Sequence, residues 1–131
     1  MSETALGEVR GLGPARSGGH HWGVERTLSL AALALFVWFF VSLWRLPALD
    51  LETVTEWLRH PLALTPMLLL IAVTFRHLQM GLIVVVEDYV HEEGSRFGWV
   101  TLINFASLFA AALAIVCVLK IALAGSGTPA A

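Results

Sequence analysis

"LALTPMLLLIAVTFRHLQMGLIVVVEDYVHEEG", residues 62–94, is apolar almost throughout, yet it sets Arg76 and His77 inside the run and closes on Glu87, Asp88 and Tyr89. Its length decides the fold. An α-helix rising about 1.5 Å per residue needs about 20 apolar residues to cross a hydrocarbon layer roughly 30 Å thick. This stretch supplies them, with Pro61 suited to a first helical turn and Pro66 tolerable near the start. Two other runs do the same, and the spans are expected at about 27–46, 62–88 and 99–124. No run alternates with the dyad period of a membrane barrel, and three spans cannot close one, so every backbone group must be satisfied inside helices. The expected fold is an all-α membrane protein of three transmembrane helices.

Composition agrees. A hydrophobic fraction of 57% and a mean hydropathy of +0.76 are too apolar for an ordinary soluble domain. The net charge is −2, with eight basic residues spread singly along the chain. That leaves no basic stripe for nucleic acid. The single cysteine, Cys117, excludes an internal disulfide and any iron–sulfur or thiolate zinc site made by this chain alone. No glycine-rich nucleotide loop follows a strand, so flavin and dinucleotide chemistry would belong to partners.

Residues 1–26 read as a polar surface segment, with Gly11, Gly13, Pro14, Ser17, Gly18 and Gly19 as breakers. The first apolar run starts too late and is too long for a secretory signal, so the N-terminus is expected to be retained. Residues 27–124 form the membrane domain and 125–131 a tail. Between the first two spans, Asp50 or Thr53 can cap a short amphipathic helix whose Trp57 would lie at the interface. Gly94 and Gly98 have the spacing of a helix-dimer motif but are read as falling in a polar loop, and Cys117 as packing. Basic residues favour a cytoplasmic N-terminus by one.

Ionisable residues within a span are costly and normally face a bundle interior, marking a site. An interhelical hydrogen bond from His77, with Arg76 stretching to headgroups, accounts for the pair equally well. Helical geometry adds two relations. Gly81 follows His77 by four residues, about 40° away on the same face, where a missing side chain leaves room for a flat macrocycle beside an imidazole. Close helix packing is the other use of such a glycine. Asp88 lies eleven residues beyond His77, returning to within roughly 20° and about 16 Å further along. Asp88 and Tyr89 are also readable as the solvated end of a helix, although carboxylates there oppose the macrodipole. A phenol donates well to a carbonyl oxygen, and a neighbouring carboxylate can pass a proton.

The pattern from His77 through Gly81 to Asp88, Tyr89, Val90 and His91 resembles the hydrophobic membrane-anchor family of succinate dehydrogenase, respiratory complex II. Upstream, "SGGHHWGVER", residues 17–26, resembles that family's segment leading from a histidine, here His20, to an arginine, here Arg26. The resemblance implies that the three spans form part of a haem-binding bundle with a second membrane-anchor cytochrome b subunit. It makes His77 an axial ligand of haem b, with Gly81 giving clearance, Arg26 near the propionates and His20 in the haem vicinity. Tyr89 would donate to a ubiquinone carbonyl, and Asp88 would support that bond or supply the proton. An iron–sulfur subunit and a flavoprotein subunit are implied as further partners, along with membrane lipids. The implied location is a bacterial inner membrane, or the mitochondrial one in a eukaryote. Two alternatives stand beside this: the anchor of a quinol:fumarate reductase, and a non-redox protein in which Arg76, His77 and Asp88 line a proton or ion path. The resemblance gives Arg76 no place; a propionate or a headgroup is within its reach.

Overall fold

The computed structural model describes residues 15–124, with side chains from residue 23 onward. The His20 side chain and the tail at 125–131 lie outside what is described. The chain runs through four helices: α1 Ala15–Trp44, α2 Leu51–Arg59, α3 Pro61–Tyr89 and α4 Glu93–Leu123. Three are long and apolar enough to cross a membrane, over Gly23–Trp44, Pro61–Tyr89 and Glu93–Leu123. At about 1.5 Å per residue, α3 and α4 reach more than 40 Å, longer than the hydrocarbon layer. They tilt or extend past it.

Local chemistry explains the boundaries. Asp50 caps α2, its Oδ1 accepting from the Thr53 backbone N–H at 2.8 Å. Hydrogen bonds from Thr53 hold the Asp50 carboxyl below the usual carboxylate range. Pro61 opens α3 where its missing N–H costs nothing, and His60 O accepts from Ala63 and Leu64 at 2.9 Å each. Within α1, the Thr27 and Ser29 hydroxyls donate to the Gly23 and Glu25 carbonyls at 2.9 Å, so neither needs an outside partner in lipid.

Two elements depart from the sequence-based expectation. α1 begins at Ala15, well ahead of the apolar run, because one helix carries its hydrogen-bonded ladder through Ser17, Gly18 and Gly19 despite their low propensity. Gly94 and Gly98 belong to the first turns of α4 rather than to a loop. The Ser95 hydroxyl donates to Glu92 beside that start.

The central element is α3, which packs on both α1 and α4, while the α1 and α4 backbones stay more than 8 Å apart at every Cα pair among the described residues. The result is a thin layer of three long helices with α2 tucked against α3 and α4. Trp57 of α2 stacks on Trp38 of α1, ring centroids 5.9 Å apart. Little is enclosed: among the described residues only Ala32, Leu58, Ala63, Leu70, Met80, Ser107 and Ala122 are buried. Most are small, as close helix approach in lipid requires. Cys117 is exposed rather than packed.

Candidate functional site

α3 stays helical from Pro61 to Tyr89, so the angular relations read from spacing hold. His77, Gly81 and Asp88 share one stripe, and all three are exposed on the outside of this chain's own helices. The interior expected for His77 is not supplied by the chain itself, because three helices in a layer enclose too little. Leu70 makes the point. It stands seven residues before His77 and within about 20° of it around the helix, yet it is 6% exposed while His77 is open. Neighbouring helices cover one half of this face and leave the other uncovered.

The His77 imidazole makes no hydrogen bond or ion pair among the described residues. A Cβ added at Gly81 would meet nothing within 4 Å. Together they form an imidazole beside a bare strip of helix, a surface that accepts a flat ring system face-on. No group of three or more metal-ligating side chains occurs among the described residues.

Asp88 and Tyr89 end α3. Tyr89 is 79% exposed and, as the next residue, stands about 100° round from Asp88. Phenol and carboxylate therefore leave different sides of the helix end, and no hydrogen bond joins them among the described residues. Arg26 is exposed at the charged turn of α1.

Arg76 has a definite place. Its Nη1 donates to Gln79 Oε1 at 2.7 Å, and Gln79 Nε2 donates to Asn104 Oδ1 on α4. These amides are the chain's only glutamine and only asparagine. The sequence reading missed them, although two lone amides inside apolar spans are a signal for an interhelical bond. Arg76 also lines a groove of about 600 Å³ with Gly23, Val24, Thr27 and Leu28. That sets it level with the Glu25–Arg26 turn, at the N-terminal end of the apolar stretch of α1.

Fold and polar stripe together define a multi-pass integral membrane protein, all-α, with an exposed polar stripe on its central helix. Residues 1–123 match the succinate dehydrogenase/fumarate reductase transmembrane subunit family, and the chain belongs to that family. It is 26% identical over 83 residues to the succinate dehydrogenase hydrophobic membrane anchor subunit of Rickettsia bellii (strain RML369-C), covering 63% of this chain and 66% of that protein. The same subunit of Rickettsia conorii (strain ATCC VR-613 / Malish 7) is 26% identical over 84 residues, 63% and 67% of the two chains. The chain thus spans about two thirds of the length of these relatives. No solved structure matches it.

Proposed function

We propose that this chain is the hydrophobic anchor of a succinate:ubiquinone oxidoreductase, holding flavoprotein and iron–sulfur subunits at a bacterial inner membrane and completing a haem b site and a ubiquinone site with a second anchor subunit. One observation carries the reading: an unpartnered imidazole and a bare glycine share an exposed stripe of the central helix, with a carboxylate and a phenol at its end. The stripe needs a covering surface, which a partner anchor would supply. His77 would hold the haem through its imidazole, and Gly81 would leave room for the group beside it. When bound, the haem would supply one-electron capacity near the quinone.

The rest is done by this chain's residues. Tyr89 Oη, exposed at the helix end, donates to a carbonyl oxygen of the bound quinone and stabilises the charge that grows there on reduction. Asp88 accepts or delivers a proton at the same water boundary through an intervening group. Succinate oxidation occurs on partner subunits. Quinol oxidation by a fumarate reductase would use the same residues in the opposite direction.

The test is an absorption spectrum and two activities of the purified complex. His77→Ala should abolish the b-type bands. Tyr89→Phe should leave them and depress quinone reduction by roughly 10²–10³-fold, as loss of an oxyanion donor does, while succinate oxidation by a soluble acceptor persists. A complex without b-type bands, or with bands unchanged in His77→Ala, would favour the ion-path alternative instead.

A further inference from the structure

Arg76 carries its charge into a membrane helix with a neutral amide as its hydrogen-bond partner. An arginine so placed calls for an anion, and its five N–H donors leave several unused by Gln79. Its surroundings say which kind. On one side lies the α1–α3 groove of about 600 Å³. On the other, a groove of about 480 Å³ runs between α3 and α4. Arg76, Gln79, Asn104 and Ser107 cluster at its outer part, and Ala72, Ala112 and Ile115 continue it toward mid-membrane. Arg76 is the residue common to both grooves, so its guanidinium tops the ridge between two apolar channels. Gly23, with nothing within 4 Å of a Cβ position, keeps the first channel open.

We infer that this ridge is a binding site for an anionic phospholipid, its phosphate on the Arg76 guanidinium and one acyl chain in each groove. Basic pockets between membrane helices recognise anionic headgroups by this chemistry. The level of Arg76 beside the Glu25–Arg26 turn puts the cation within snorkelling reach of the headgroup layer. The Gln79–Asn104 bond holds the guanidinium in position before the lipid arrives. Arg76 stands about 100° round α3 from His77, so the site is separate from the proposed haem face.

The test is native mass spectrometry of the intact complex in mild detergent, titrated with phosphatidylglycerol and separately with phosphatidylcholine. Wild type should retain phosphatidylglycerol in preference to phosphatidylcholine, a comparison that needs no variant. Arg76→Gln should lower phosphatidylglycerol retention roughly fivefold, the share expected of one arginine near the surface, and leave phosphatidylcholine unchanged. Ala112→Leu, which narrows a channel without touching charge, should lower retention of both. Equal retention of the two lipids by wild type would overturn the site. So would an Arg76→Gln complex that keeps its phosphatidylglycerol but shifts its b-type spectrum, since the arginine would then serve a carboxylate of the haem.

Discussion

Gly81 separates what this chain needs from what a partner or cofactor needs. Nothing stands within 4 Å of its absent side chain, so no packing inside the chain demands a glycine. In a helix interior glycine is disfavoured by about 1 kcal/mol relative to alanine. Gly81→Ala should therefore stabilise α3 by up to about that amount in the isolated chain, measured by thermal melting in detergent. Gly81→Leu, which puts a bulky side chain on this exposed strip, should lower the haem content of the assembled complex. Full haem content in Gly81→Leu would show that no ring lies on this surface. At this scale, spacing made the shared stripe of His77, Gly81 and Asp88 readable in advance. The separation of Asp88 from Tyr89 is also a matter of spacing, visible once a continuous helix through Tyr89 is granted.

Between elements, the α3–α4 contact is fastened by one polar link, Gln79 to Asn104, inside an otherwise apolar interface. Interhelical hydrogen bonds in membranes contribute about 0.6–2 kcal/mol, and breaking this one strands a part-buried amide. Asn104→Leu should lower the unfolding temperature of the complex and release Arg76 from its fixed pose. Asn104→Gln, able to remake the bond, should recover part of the loss. Identical melting of wild type and Asn104→Leu would show the link to be energetically idle. The extent of α3, the C-terminal end of α4 and a cap at the start of α2 were legible from apolar runs and capping chemistry. The early start of α1 and the helical placement of Gly94 and Gly98 were not, because propensity is a weak prior once a long helix is already formed.

At the scale of the molecule, a layer of three helices leaves most large apolar side chains exposed: Phe36, Phe40, Phe105, Leu108 and Phe109 all face outward. Lipid tails satisfy such side chains as well as protein does, so exposure alone names no partner; the exposed polar stripe is what calls for one. The chain expressed without other subunits should insert in the membrane but be cleaved by added protease faster at the α3–α4 junction than the full complex, because Asp88, Tyr89 and His91 are uncovered there. Equal cleavage rates would mean that nothing docks on that end. The sequence by itself determined the membrane class, the three spans and the residues able to do chemistry, since hydrocarbon thickness and helical rise leave no other reading of such long apolar runs. Only the tertiary structure decided that His77 looks outward where Leu70, on the same side of α3, is buried. Helix crossings set that difference, and periodicity along one helix carries no information about where its neighbours diverge.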